Sequence, residues 1–380
     1  MALEPTTPLT PRQSKVVGAL LGLHAGDSLG ATFEFKCHTQ IRTAYPNGLR
    51  DIVGGGLLSW PAGRATDDTD MTRAVLLAYR QLHDKSQQDV AVLAGELFLS
   101  WFRGDWPGRK LGSRPRDVGL ATRVGLQKFS KTRDPEKAGA GEGKAGNGSL
   151  MRCLATGLFQ SDPDRLVEES MRISMITHND ERCTIACAVY NHIVAALIRD
   201  TSPESAVDAG ELLAERLEKR KDGPVLKAVR LGRTVSIARM ARYGPDLSEM
   251  KGACSGFVLE TLALAIAAVL DKRPLEDVLV DVVRVGNDTD TNGAVAGGLL
   301  GARDGVGGVP ERWRAKLQFG EEFMRIGVEL TPERDNLNIA SSLNGLCLIG
   351  HQGHVRAYFK SSVSLQRQAQ FQRHSQLIQQ

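Results

Sequence analysis

Residues 286–302 read GNDTDTNGAVAGGLLGA. Two acids, Asp288 and Asp290, stand among threonines immediately before a run of small apolar residues. Asp288, Asp290, Asn292 and Gly293 match the first, third, fifth and sixth positions of an EF-hand calcium loop, which also requires a glutamate at its twelfth. The chain has Leu299 there, and Ala294–Leu299 is small and apolar, as a packed helix is. The segment is therefore read as a helix with acids at its start, and the EF-hand is rejected.

Outward from that point the chain reads as helical. Val16, Val17, Leu20, Leu21, Leu23 and Leu29 predict a helix over 14–30. Met71, Ala74, Val75, Ala78 and Leu82 recur at intervals of three and four, as do Val90, Leu93, Leu97 and Trp101. Further helices are predicted near 164–176, 183–199, 204–219, 225–242, 255–271, 275–284 and 291–302, with Pro203 and Pro274 near helix starts, where proline is tolerated. Only 49–53 has a strand-like look, and no fixed-period repeat is present. The expected fold class is all-α, in one domain over 14–334. Residues 1–13 are expected to form a flexible leader. Residues 335–380 are expected to form a mobile extension, because 366–380 hold seven glutamines and no acid.

Composition narrows the function. Of 380 residues, 42% are hydrophobic and 24% charged, which excludes a mostly disordered chain and a multi-span membrane protein. A net charge of +4 is too small to argue for nucleic acid or an anionic membrane as the main partner. Forty glycines against 5% aromatics suit closely packed helices and backbone that approaches a ligand. The six cysteines form no CxxC pair and read as buried free thiols, Cys183 and Cys187 on one helix face. No signal peptide or spanning segment is evident, so a cytoplasmic location is the default expectation, and with no coiled-coil repeat to indicate an oligomer, so is a monomer.

The acids carry the chemistry. Thr66-Asp67-Asp68-Thr69-Asp70 precedes one apolar helix much as Asp288-Thr289-Asp290-Thr291 precedes another. One such cluster reads as a helix cap. Two alike, with threonine hydroxyls and no His or Cys beside them, suit hard cations such as Mg²⁺, Mn²⁺ or Ca²⁺ rather than zinc. If the two starts face each other, their repulsion calls for bound cations. Glu34 lies between Phe33 and Phe35, surroundings that favour a raised pKa; alone it reads as a partly exposed acid. Gly141–Gly146 is a formal GxGxxG, but no apolar strand precedes it and Ala145 follows the lysine, so neither a dinucleotide fold nor a Walker loop fits. Gly146-Asn147-Gly148-Ser149 leads into Leu150-Met151-Arg152, a turn able to present backbone N–H groups to an anion or to be an ordinary junction. His178 in THND, and Asp117 in RDVG, have structural readings of their own.

Taken in order, GALLGLHAGDSLGATFEF at 18–35, TDDT at 66–69, GNGSLMR at 146–152, THND at 177–180, GNDTDTNGAVAGGLLGA at 286–302 and PERW at 310–313 resemble the ADP-ribosylglycohydrolase family. The wording of GATFEF and GNGSLMR is nearest its dinitrogenase-reductase-activating branch. The resemblance covers about 14–328. It implies a compact, orthogonal multi-helix domain with a central binuclear site for two divalent cations, Mg²⁺ or Mn²⁺. The implied ligands are Thr66, Asp67, Asp68, Asp288, Asp290 and Thr291. Glu34 matches the acid beside the metals, Asp68 also counts among the catalytic groups, and Asp117 matches an acid that handles an arginine guanidinium. Gly146, Asn147, Gly148 and Ser149 match the diphosphate loop, and His178 a residue lining the ADP-ribose site. The implied reaction removes ADP-ribose from a mono-ADP-ribosylated protein, most readily from arginine. Other implied possibilities are ADP-ribosyl-serine, poly(ADP-ribose), an ADP-ribosylated nucleotide or nucleic acid base, and a non-catalytic ADP-ribose binder. The segment 131–145 is longer than usual for the branch.

Overall fold

The structure, a computed structural model, describes residues 8–84 and 88–332. Among them are sixteen α-helices and no strand. Two helices form the axis: α1 (Pro11–Gly30) and, late in the chain, α14 (Thr289–Asp304). Between them run α2 (His38–Ala44), α3 (Asp67–Asp84), α4 (Val90–Arg103), α5 (Leu120–Thr132), α6 (Leu154–Phe159), α7 (Pro163–Met175) and α8 (Glu181–Leu197). Then come α9 (Pro203–Glu218), α10 (Pro224–Thr234), α11 (Ile237–Tyr243), α12 (Val258–Leu270) and α13 (Leu275–Arg284). Short α15 (Glu311–Arg314) and α16 (Gly320–Glu329) follow the axis.

Glycine decides how the axis is built. A Cβ added at Gly22, Gly26 or Gly30 of α1 would strike the backbone carbonyl of Gly297, Gly293 or Thr289 respectively. Gly18 lies just as close to Gly301, and a Cβ on Gly301 would strike the Gly18 carbonyl in turn. Each step of four along one helix meets a step of four back along the other, so the pair is antiparallel and touches through bare backbone. At one end Thr289 Oγ1 donates to the Gly30 carbonyl at 2.7 Å, and at the other Val306 N donates to Ser14 Oγ at 3.3 Å. Helices α8, α12 and α13 pack on the remaining sides of α14. Tyr190 of α8 donates its hydroxyl to the Val295 carbonyl at 2.9 Å.

Some expectations shift. The first helix begins at Pro11, not 14, because Thr10 and Gln13 form a reciprocal capping box and Pro11 fits the first turn. Residues 11–13 therefore belong to the domain rather than to a flexible leader, and 1–7 lie outside the described residues. The helix expected over 225–242 is two: Val235 is extended, and Ser236 accepts from Arg239 N to start α11. Residues 49–53 form no strand; buried Leu49 and Ile52 anchor the segment, and Trp313 Nε1 donates to the Arg50 carbonyl at 3.0 Å. Cys153, Cys183, Cys187 and Cys254 are buried free thiols, while Cys37 is exposed. The extension expected over 335–380, with Cys347, lies outside the described residues. Among those described, no helix is long and apolar enough to cross a membrane.

Candidate active site

The antiparallel axis delivers the C-terminal end of α1 beside the N-terminal end of α14, and the start of α3 joins them. Asp288 stands at the N-cap position of α14 yet makes no capping bond. Its Oδ2 instead accepts from Asn147 Nδ2 at 2.8 Å. Asp290 is buried and its Oδ1 accepts from the Thr291 N–H at 2.9 Å. On α3, Thr66 Oγ1 donates to Asp68 Oδ2 at 3.2 Å, and Asp68 lies close enough to Asp290 of α14 for their charges to repel. The two helix starts therefore do face each other.

The carboxyls of Asp67, Asp68 and Asp290 hold a proton far more readily than in water. Burial drives Asp68 well above the usual range, followed by repulsion from Asp67, Asp27 and Asp288. Asp67 is raised by burial, then by Asp117, Glu34 and Asp27. Asp290 is raised by burial, then by Glu34, Asp68, Asp288 and Asp27. Glu34, 7% exposed, is pushed to about 8 by burial and then by Asp117, Asp288 and Asp27. Asp117, half-buried, is raised by burial and by Asp288, against a lowering bond from Val118 N–H. It does not cap α5, whose N-cap is Gly119.

Glu34 is fixed by the chain around it. Phe35 adopts φ 65° and donates its N–H to the Asn287 carbonyl at 2.8 Å, while Asn287, at φ 67°, donates to the Lys36 carbonyl at 2.7 Å. The residue after Glu34 is thus stitched to the residue before Asp288. A second brace comes from Glu260 on α12. Its carboxylate accepts from Gly252 N at 2.6 Å and Cys254 N at 2.8 Å, holding a turn in which Ala253 and Cys254 both have positive φ. That turn presents the Cys254 carbonyl to Asp288 N and to Asn292 Nδ2, at 3.3 and 2.9 Å.

The loop 146–149 is tied to the same centre. Asn147 N donates to the Gly256 carbonyl at 3.0 Å, and Asn147 Nδ2 spans Asp288 and Thr261. A Cβ on Gly148 would come within 2.8 Å of the His178 ring, so the imidazole lies directly against the loop. Arg152, fully buried, donates to the Gly148 carbonyl at 2.7 Å and to Thr177 Oγ1 at 2.7 Å. The Thr177 hydroxyl, which accepts from Arg152, also hydrogen-bonds His178 Nδ1 at 2.8 Å. Burial, then Arg152, holds the His178 pKa down at about 3, so the ring is neutral. Ser149 does not face a ligand with its hydroxyl: it accepts from Ser174 Oγ at 2.9 Å and from Cys187 Sγ at 3.6 Å, inside the core. Only its backbone is open to the anion role expected for it.

Sequence reasoning missed Asp27. It is buried in α1, and its Oδ2 accepts from Thr66 N at 3.2 Å, Thr69 N at 3.3 Å and the Thr69 hydroxyl. Its pKa is raised to about 6, chiefly by burial. The signal was an acid inside an otherwise apolar helix. Conversely Asp70, third acid of its run, leaves the cluster. It accepts from Trp101 Nε1 at 3.0 Å and Trp106 Nε1 at 3.1 Å and pairs with Arg109.

Among the described residues no three His, Cys, Asp or Glu side chains are gathered into a cage ready for an ion. The donor set nevertheless fits hard cations. It is all oxygen, and the buried Asp27 Oδ1 and Asp68 Oδ1 have no hydrogen-bond partner. Thr66, Asp67, Asp68, Asp288, Asp290 and Thr291 would hold them.

Comparison with known proteins agrees with this architecture. The ADP-ribosylglycohydrolase family profile matches residues 8–339. ADP-ribosyl-[dinitrogen reductase] glycohydrolase of Rhodospirillum rubrum is 32% identical over 312 residues, 81% of this chain and 92% of that protein. ADP-ribosylarginine hydrolase Tri1 of Pseudomonas putida (strain GB-1) is 28% identical, over 87% of this chain and 82% of its own. A solved structure described as an ADP-ribosylglycohydrolase-related protein complex superposes with a TM-score of 0.65 at 29% identity, covering 85% of this chain and 98% of that one. The chain belongs to the ADP-ribosylglycohydrolase family, hydrolases that act on ADP-ribosyl glycosidic bonds.

Proposed function

We propose that the protein removes ADP-ribose from a mono-ADP-ribosylated protein by hydrolysing the N-glycosidic bond to arginine, and that it does so with two Mg²⁺ or Mn²⁺ ions. The observation that carries this reading is the meeting of Glu34, Asp27, Asp67, Asp68 and Asp290 in one place, where burial raises every pKa and, for all but Asp27, neighbouring carboxylates raise it further. The arginine linkage is supported by Asp117 and by the name of the Pseudomonas relative. Once bound, such ions supply Lewis acidity toward the ribose hydroxyls and make water easier to deprotonate.

The chain's own residues do the rest. Bond cleavage builds positive charge on the ribose ring, and carboxylates fixed in advance stabilise it. Glu34, whose pKa burial and the neighbouring acids raise above the ordinary carboxylate value, exchanges a proton with the attacking water or the leaving group. Asp117 accepts from the guanidinium of the departing arginine. Backbone N–H groups of Gly146–Ser149 donate to the diphosphate beside the neutral His178 ring, and this remote grip places the sugar over the acids.

The test is ADP-ribose release from matched arginine-linked and serine-linked substrates with Mg²⁺, with Mn²⁺ and with chelator. Metal-dependent release from arginine alone is expected. Release from serine alone would move the linkage and remove the role of Asp117. Binding of ADP-ribose with no release from either would make the chain a binder that has lost its chemistry.

A further inference from the structure

Four large apolar side chains stand in solvent close to the acid cluster: Phe35 at 64% exposure, Leu57 at 73%, Leu111 at 79% and Leu120 at 75%. Single exposed leucines are ordinary, but a group of them at one place marks a contact surface. Each is tied to the cluster by the chain. Phe35 directly follows Glu34. Leu57 lies on a turn whose Gly56 sits against the Ala31 carbonyl, with Thr32 Oγ1 donating to the Gly54 carbonyl at 3.1 Å. Leu111 follows two residues after Arg109, whose guanidinium is within reach of the Asp67 charge, and Leu120 three residues after Asp117. Arg116 joins the two loops by donating to the carbonyls of Leu58 and Ser59 at 3.3 and 3.4 Å.

The same rim is basic. Residues 109–117 read RKLGSRPRD. Arg109 and Arg116 are engaged within the fold, but the Lys110 and Arg114 side chains are exposed and make no hydrogen bond or ion pair among the described residues. Their charge therefore faces solvent. Whatever polypeptide carries the modified side chain must pass across this rim to bring its sugar to the acids.

We infer that the loops 54–60 and 109–120 form a docking surface for the target protein, selecting modified side chains set among acidic and apolar neighbours. This rests on the function proposed above. Three of the four are aliphatic leucines, which give no platform for stacked bases, and Phe35 is the lone aromatic among them, so the surface favours a protein over a nucleic acid.

The test uses the full chain and three substrates. These are free ADP-ribosylarginine, a peptide with one ADP-ribosylarginine flanked by glutamate and leucine, and a matched peptide flanked by lysine and serine. The glutamate–leucine peptide is expected to have the lower KM, by about fivefold, the scale of a few rim charges and exposed leucines. Leu57→Ser with Leu120→Ser should raise KM for that peptide and leave kcat, and both constants for free ADP-ribosylarginine, unchanged. Lys110→Glu with Arg114→Glu should reverse the peptide preference. Equal KM values for the two peptides with the native chain would overturn the docking surface alone, whatever the variants do. So would inhibition of peptide turnover by a short DNA oligonucleotide, which would assign the rim to nucleic acid. Absence of release from all three substrates would overturn the parent reading and this one with it.

Discussion

At the Gly18–Gly301 end, α1 and α14 meet backbone to backbone with nothing left over. At the Gly30–Thr289 end, the same two helices bring Asp27, Asp288 and Asp290 to a buried place where Asp27 Oδ1 has no partner, and Asp68 Oδ1 from α3 has none either. One end is close contact without charge, and the other is charge without full contact. Asp68 and Asp70 repeat the contrast two residues apart. Asp70 is satisfied by two indoles and a guanidinium, whereas Asp68 keeps an empty oxygen among other acids. The difference teaches that the glycine contacts supply the stability against which the acid end holds its repulsion. Removing charge at one end and adding bulk at the other should therefore act on stability with opposite signs.

The largest expected effect sharpens that division. Asp290→Asn should cut ADP-ribose release by at least about 1000-fold, equivalent to roughly 4 kcal/mol of barrier. The same variant should unfold at equal or higher urea concentration than the native chain in chelator. Full activity with an intact fold would break the two-cation reading.

At the other end Gly297→Ala should lower stability by about 3 kcal/mol, because the new Cβ meets the Gly22 carbonyl and backbone cannot yield as a side chain does. Urea unfolding checks it, and a loss under about 1 kcal/mol would show that the axis has slack.

A smaller effect comes from pH. Glu34 and Asp27 bind protons more tightly folded than unfolded, with folded pKa values of about 8 and about 6. Such groups penalise folding above their folded pKa and cease to do so as they protonate. The cation-free protein should therefore become more stable as pH falls from 8 toward 5. Saturating Mg²⁺ should flatten that slope. Below about pH 4 the trend should reverse as Asp180, held at about 2 by Arg182, begins to protonate in the unfolded chain. A flat thermal-unfolding profile in chelator would remove the repulsion from the argument.

The smallest test touches neither end directly. Glu260→Gln keeps one acceptor for the Gly252 and Cys254 N–H groups and loses the other. It should cost about 1 kcal/mol of stability and leave KM for free ADP-ribosylarginine within about threefold of the native value, since Asp288 also has Asn147. A KM rise far beyond that would give Glu260 a larger share in positioning the site.

Much of this was legible in the chain. The two threonine-flanked acid runs and the apolar helices behind them pointed to a convergent site because charge at two helix starts is costly unless something answers it. Asp27 was hidden by its setting, since an acid among leucines and glycines reads as one more helical residue until its neighbours are known. Glu260 was hidden for another reason: it acts on a turn six to eight residues back, through carbonyls that then reach Asn292 and the Asp288 N–H. The split at Val235 escaped because apolar periodicity runs through it, although Ser236 was the local signal of a new start. Ser149 belongs to the right motif, yet only packing shows its hydroxyl turned toward Ser174. Glycine abundance announced close helices; which glycine meets which is a matter of three dimensions.

That pairing has a property of a vernier. Its notches recur every four residues on both helices, so a slide of one notch, about 6 Å, would bring glycine opposite glycine again along most of its length. The scale alone does not name its own zero. The zero is set by two end stops, Thr289 on the Gly30 carbonyl and Val306 on Ser14. A four-residue deletion inside α14 would keep the teeth meshed yet release one stop or the other, moving the acids a full notch. Insertions and deletions in this axis are thus filtered by arithmetic before chemistry is consulted.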